Sequence, residues 1–179
     1  MSDRLAAGDW VMAGLKALAA DGVGALKADL LAKSLGRSRG SFYWHFADLA
    51  AFHAAVLARW RENATEAVIQ DLEGMAPRGD RLRSLLRRAF TTDATLEIAV
   101  RAWAVSDPQA RAAVAAVDRR RLAYLESILT AAGVGSAAVF ARARILYWAY
   151  LGFALSQPKL ARRQLDMLLA ELATLAEAR

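Results

Sequence analysis

The stretch Leu35-Gly36-Arg37-Ser38-Arg39-Gly40-Ser41-Phe42-Tyr43-Trp44-His45-Phe46 constrains this chain more than any other. Gly36 is a helix stop, because glycine tolerates the left-handed conformation that closes a helix. Ser38 follows two residues later as a capping hydroxyl for the next helix. That helix holds little more than a turn and a half, too short to nucleate alone. With Arg39 at zero and about 100° per residue, Phe42 and Phe46 fall together near 320°, at roughly 300° and 340°. They are the expected anchor on neighbouring helices. Gly40, Ser41 and Trp44 fall on the opposite side, with Tyr43 and His45 on the flanks. The outward face is too aromatic for an ordinary solvated surface and reads as one that touches another molecule.

The rest of the chain reads as helices around this stretch, with prolines only at 77, 108 and 158. Asp9 is the expected cap of a first helix that buries Val11, Leu15 and Leu18 and stops at Gly22. A second helix, about 28–35, carries Leu30, Leu31 and Leu35 and ends at Gly36. Helix, glycine turn and short helix make a helix-turn-helix, with the first helix as the third wall of a small core. Asp48 then caps a long fourth helix, about 49–72, with Phe52, Val56, Trp60 and Ala67 along it. After a break at 74–79, which contains Pro77, Leu82, Leu85, Leu86 and Phe90 face inward. Arg81, Arg83, Arg87 and Arg88 line the opposite, solvated side.

A short helix at 96–105 is followed by Ser106-Asp107-Pro108, an N-cap with proline at the first helical position. The helix it starts carries Val114, Val117, Tyr124, Leu125 and Ile128 to a stop near Gly133. Gln157-Pro158 separates two final helices, about 136–156 and 160–178, expected to form a hairpin. The former is apolar on more than one face, and the latter repeats Leu165, Leu168, Leu169, Leu172 and Leu175. That is more apolar surface than one chain covers, and two such hairpins about a two-fold axis make a four-helix interface. The expected fold is all-α with about nine helices. Residues 1–48 form a three-helix DNA-binding domain, and residues 49–179 a helical effector-binding and dimerisation domain.

Composition excludes several alternatives. The chain is 56% apolar, which excludes disorder, and it has no cysteine for disulfides, thiolate ligands or thiol nucleophiles. No basic segment followed by an apolar run marks an export signal. The longest uncharged apolar run, 145–157, falls short of a bilayer span of ~20 residues. A cytoplasmic protein without a membrane partner is expected. The net charge of +6 divides into six basic and five acidic groups over 1–48, and eighteen and thirteen over 49–179. The excess lies outside the opening stretch, so any affinity for nucleic acid must come from a few placed groups.

Residues 31–46, together with Gly22-Val23 and Leu26 before them, closely resemble the DNA-binding signature of TetR-type transcriptional regulators. Glycine, small hydroxyl, aromatic pair and terminal phenylalanine fall at that family's offsets. The later chain matches it in organisation only: helix count, long fourth helix and apolar C-terminal pair. The resemblance implies a homodimer, joined through its C-terminal helices, whose two third helices enter successive major grooves of a near-palindromic double-stranded DNA operator. It implies a small-molecule effector among the middle helices that changes the spacing of the two heads, usually relieving repression. Many relatives place a lysine after the last phenylalanine of the motif, where this chain has Ala47.

The residues themselves suit those roles. Arg39 offers a bidentate fork to guanine, Gly40 lets the backbone approach the groove, and Trp44 packs on thymine methyls or sugar edges. Lys27, Lys33, Arg37, Ser38, Ser41, Tyr43 and His45 are candidates for phosphate and flanking contacts. Trp60, Phe90, Arg101, Trp103, Arg121, Tyr124 and Tyr147 are candidate effector contacts. The rival reading for the aromatics is plain core, and for Arg101 and Arg121 neutralisation by Glu97 and Asp118. His45, Asp48 and His53 lack metal-site spacing. No nucleophile relay or carboxylate pair stands out, so neither a cofactor nor catalysis is expected. A helical small-molecule-binding or scaffolding dimer without DNA binding is the alternative function.

Overall fold

The computed structural model describes residues 5–74 and 81–178, and every element among them is helical. Helices α1 (Ala7–Asp21), α2 (Ala28–Ser34), α3 (Arg39–His45) and α4 (Leu49–Arg61) come first, with a 3-10 turn (Val23–Ala25) between α1 and α2. A π turn, Glu62–Glu66, joins α4 to α5 (Ala67–Gly74). Then come α6 (Arg81–Thr91), α7 (Thr95–Ala104), α8 (Pro108–Ala131), α9 (Ser136–Ser156) and α10 (Arg162–Glu177). Taking α4, the π turn and α5 as one continuous helical run gives nine helices among the described residues, where about nine were expected. The chain forms two compact units, Met1–Ala64 with Thr95–Ala116, and Thr65–Ala94 with Val117–Arg179.

The first unit is built on α1, which packs against α2, α4 and α7. Trp10, Val11, Leu15 and Leu18 supply its buried stripe, Phe52, Val56, Leu57 and Trp60 that of α4, and Val100 and Trp103 that of α7. Gly14 lets α1 and α4 approach closely: a Cβ there would lie 2.7 Å from Phe52 Cζ and 3.1 Å from Val56 Cγ2. Asp9 does not cap α1 as expected. The helix begins at Ala7, and Asp9 reaches back from its first turn to accept from the Ala6 N–H at 2.7 Å. Acidic residues are favourable at both positions, as cap and as partner of the helix dipole. Local sequence therefore leaves the start uncertain by a residue or two. Asp107 caps α8 with Pro108 at its first position, Oδ1 accepting from the Ala110 N–H at 2.8 Å. Arg111 in turn donates to the Ala104 and Val105 carbonyls at 3.2 and 2.8 Å, satisfying the end of α7.

In the second unit α6 packs against α5, α9 and α10. Leu82, Leu86 and Phe90 of α6 join Ile69, Leu72, Leu129, Leu146, Leu169 and Ala173 in one buried cluster. The expected break at 74–79 centres on Pro77, which lies outside the described residues. The arginine side of α6 is not simply solvated. Arg83 pairs with Glu177 at 3.4 Å, Arg87 with Asp166 at 3.5 Å and Arg88 with Asp71 at 2.7 Å. Acidic groups on α5 and α10 meet that face, which periodicity within α6 cannot reveal. Pairs this exposed contribute at most about 1 kcal/mol each. Gly133 closes α8 at φ +83°, its N–H bonded to Thr130 O and that of Val134 to Leu129 O.

Helix α9 is by length and composition apolar enough to cross a membrane, although 28% of its most apolar window is buried inside the protein. Val139, Ala143, Leu146 and Tyr147 turn inward. Phe140, Ile145, Trp148 and Leu155 are each about 60% exposed, so the helix is apolar on two sides as read from sequence. Its Arg142 donates to the Ala176 carbonyl at 2.9 Å and to that of Ala178, capping α10. Of the α10 leucines, Leu169 is buried, Leu165 and Leu172 half-buried, and Leu168 and Leu175 exposed.

Candidate nucleic-acid interface

The chain between α2 and α3 turns as its residues dictate. Gly36 adopts φ +62°, its N–H bonds Lys33 O at 3.2 Å, and the Arg37 N–H bonds Ala32 O at 2.8 Å. This pair of bonds is the glycine-dependent helix ending that satisfies the last carbonyls. Ser38 then caps α3, its Oγ accepting from the Ser41 N–H at 3.3 Å. Asp48 does the same for α4, accepting from the Ala51 N–H at 2.7 Å.

Seven-residue α3 is held down by aromatic packing. Phe42 has no exposed surface, meets Trp10 and Phe52 edge-on at 5.5 and 5.1 Å, and lies tilted against Phe46 at 5.2 Å. Phe46 and Phe52 close the cluster at 5.0 Å. Edge-to-face pairs of this kind add about 0.5–1.5 kcal/mol each beyond area burial. Helices α1, α3 and α4 all supply rings to it.

The opposite side of α3 is open. Trp44 is 66% exposed and Tyr43 45%, with Arg39 and Gly40 exposed and Ser41 and His45 half-buried. Trp44 meets the His45 ring edge-on at 4.7 Å. The Arg39 guanidinium carbon lies 5.8 Å from the Tyr43 ring centre. Hydrogen bonding to the Tyr43 side chain raises the Arg39 pKa, aided by the Tyr43 and Asp29 charges and opposed slightly by burial. Lys27, Lys33, Arg37 and Ser38 are all exposed on or beside the helix-turn-helix. Among the described residues nothing packs against Gly40: an added Cβ would meet only Ser38 Oγ, at 3.7 Å.

A contact that the sequence did not signal supports this unit from behind. His53 on α4 hydrogen-bonds the Leu26 carbonyl through Nε2 at 3.2 Å, and its ring meets Trp103 of α7 edge-on at 5.0 Å. The local pattern offered only a histidine on a helix. Its partners lie 27 and 50 residues away along the chain.

The expected effector residues fall into two groups. Trp60, Arg101 and Trp103 belong to the first unit, where Trp60 is 1% and Trp103 4% exposed. Arg101 pairs with buried Glu97 at 2.7 Å. Phe90, Tyr124 and Tyr147 are buried together in the second unit's core. Arg121 donates to Thr65 Oγ1 at 3.2 Å and lies 5.8 Å from the Tyr150 ring centre, while Asp118 accepts from the Tyr147 hydroxyl at 2.6 Å. A shallow cleft of about 180 Å³ in the first unit, between α4 and α8, is lined by Leu57, Arg61 and Gln109 among others and by none of these candidates.

Among solved structures, BioQ in complex with its double-stranded DNA operator is 26% identical over 98% of this chain and 99% of its own, with a TM-score of 0.52. FadR from Bacillus subtilis, in complex with stearoyl-CoA, is 15% identical over 96% of this chain and 97% of its own, with a TM-score of 0.69. A Rhodococcus sp. protein assigned to the TetR family of transcriptional regulators is 17% identical over 95% of this chain and all of its own, also at 0.69. This is the TetR-type fold. In TetR-type terms, the aromatic-anchored α3 with its open outer side is the second helix of the helix-turn-helix. No protein-family model and no curated protein matches the sequence.

Proposed function

We propose that the protein is a sequence-specific DNA-binding transcriptional regulator, a ligand-relieved repressor that acts in the cytoplasm as a homodimer on a palindromic operator. The observation that carries this reading is the outer side of α3. Gly40 fills no internal need, yet glycine in a helix costs about 1 kcal/mol relative to alanine. Beside it Trp44 and Tyr43 stay exposed on a helix that Phe42 fixes from the other side. A close approach by a DNA backbone or base edge explains all three choices.

In this reading residues 1–48 form the DNA-binding domain and 49–179 serve effector binding and dimerisation. Arg39 meets a guanine edge, Trp44 a thymine methyl or sugar, and Gly40 gives clearance. Lys27, Lys33, Arg37, Ser38, Ser41, Tyr43 and His45 engage phosphates and flanking groups. The exposed Phe140, Ile145, Trp148 and Leu155 of α9, with Met167 and Leu175 of α10, pair with a second copy. The effector lies near Phe90, Arg121, Tyr124 and Tyr147; Trp60, Arg101 and Trp103 serve the core of the other unit. The BioQ–operator and FadR–stearoyl-CoA complexes support DNA and small-molecule partners for this fold, and no catalytic step is part of the reading.

Selection of bound fragments from genomic DNA, followed by footprinting, tests the proposal. A dyad-symmetric site should be enriched, and its affinity should fall steeply with salt as counterions are released. A dimer that binds a small molecule tightly but enriches no such site would favour the scaffolding alternative.

A further inference from the structure

We infer that Tyr43 is a positioning residue for Arg39, so that the two side chains read one operator position as a unit. The inference rests on the regulator reading above and refines Tyr43 from a phosphate contact to a determinant of specificity. Arg39 and Tyr43 are four residues apart on α3, the spacing that brings side chains together on one face. The guanidinium carbon sits 5.8 Å from the Tyr43 ring centre. Arg39 is otherwise exposed at the start of the helix, where a long side chain samples many rotamers and presents no fixed fork.

Tyr43 is itself held from behind. Its ring meets Phe42 edge-on at 5.2 Å, and Phe42 is fully buried against Trp10 and Phe52. Order thus passes from the core, through Phe42 and the Tyr43 ring, to a guanidinium on the open face. The raised Arg39 pKa, caused chiefly by hydrogen bonding to Tyr43, agrees with this arrangement. Bidentate readout of a guanine edge needs such a pre-set fork, whereas a phosphate contact from Tyr43 needs none.

The two roles differ in what they do to sequence preference and to salt dependence. The test uses the full-length protein with the operator recovered by genomic selection and every single-base variant of it. Affinities are measured at several salt concentrations for the parent, Arg39→Ala, Tyr43→Leu, Tyr43→Phe and the Arg39→Ala/Tyr43→Leu double variant. Tyr43→Leu removes the ring beside the guanidinium, and Tyr43→Phe keeps it. Tyr43→Leu is expected to reduce discrimination about 3- to 10-fold at the base position that Arg39→Ala also relaxes, with an unchanged salt slope, and Tyr43→Phe to retain most of it. In the Arg39→Ala background Tyr43→Leu should change that position little further. Equal weakening of all sequences with a shallower salt slope would assign Tyr43 to a phosphate and overturn the inference. So would additive effects of the two substitutions, or no effect of Tyr43→Leu. A parent protein that enriches no site overturns the regulator reading together with this one.

Discussion

Gly40 and Tyr124 are both residues whose present form costs stability. Gly40 sits in the first turn of α3 with room for a methyl group. Gly40→Ala is expected to stabilise the fold by up to about 1 kcal/mol in urea unfolding. The same variant should bind the operator more weakly, because the methyl group occupies the clearance. A variant both more stable and equally tight in binding would remove the argument from Gly40. Tyr124 is 6% exposed, and its hydroxyl has no hydrogen-bond partner among the described residues. Burial pushes its phenol above the ordinary value, Glu73 adds to this, and Arg81 and Arg120 oppose it. A raised folded value means the unfolded chain gives up its proton first. The contribution is therefore intact below about pH 10 and is lost as pH rises through the folded value. Tyr124→Phe should unfold no earlier than the parent at pH 7, since it deletes an unsatisfied group. It should also flatten the fall in stability above about pH 10, as read by urea midpoints across pH.

At the scale of elements, the short α3 depends on α1 and α4, and these depend on how closely they meet. Gly14 is the contact point, and Phe52, which a Cβ there would strike, is itself fully buried among other rings. Gly14→Ala is expected to cost about 1–3 kcal/mol through overpacking, a fall measurable in the urea midpoint. An unchanged midpoint would mean that α1 and α4 can move apart freely. Most elements were readable because their signals are local: Gly36 and Gly133 as stops, Ser38, Asp48 and Asp107 as caps, Phe42 and Phe46 as an anchor. The π turn at Glu62–Glu66 was not readable. It contains no glycine or proline, and Thr65 within it is buried at 1% exposure as Arg121 donates to it. That partner lies 56 residues away, so no local pattern reveals it.

For the whole molecule, the exposed apolar side of α9 is the feature a single chain leaves unfinished. Ile145 and Trp148 are 58% and 64% exposed, so charges there disturb little in an isolated chain. Ile145→Glu with Trp148→Glu should nevertheless yield monomers in analytical ultracentrifugation. Operator affinity should then fall by about 100-fold or more, as the two linked heads of the proposed dimer become one. A double variant that still sediments as a dimer would move the self-association surface elsewhere.

The sequence by itself determined the helices, their caps and stops, and the composition of the α3 face, because these depend on neighbours within a turn or two. The helix-turn-helix and its outward residues were therefore legible from residues 31–46 alone. Only the tertiary structure decided that α7 packs on α1 and joins the unit of the helix-turn-helix, and that His53 ties Leu26 to Trp103. It also decided that Arg101 and Arg83, Arg87 and Arg88 of α6 meet carboxylates, and that the candidate effector residues divide between the two units. The physical reason is the same in each case. An amphipathic stripe states that a helix must be covered, but which element covers it depends on shape and charge brought together from far along the chain.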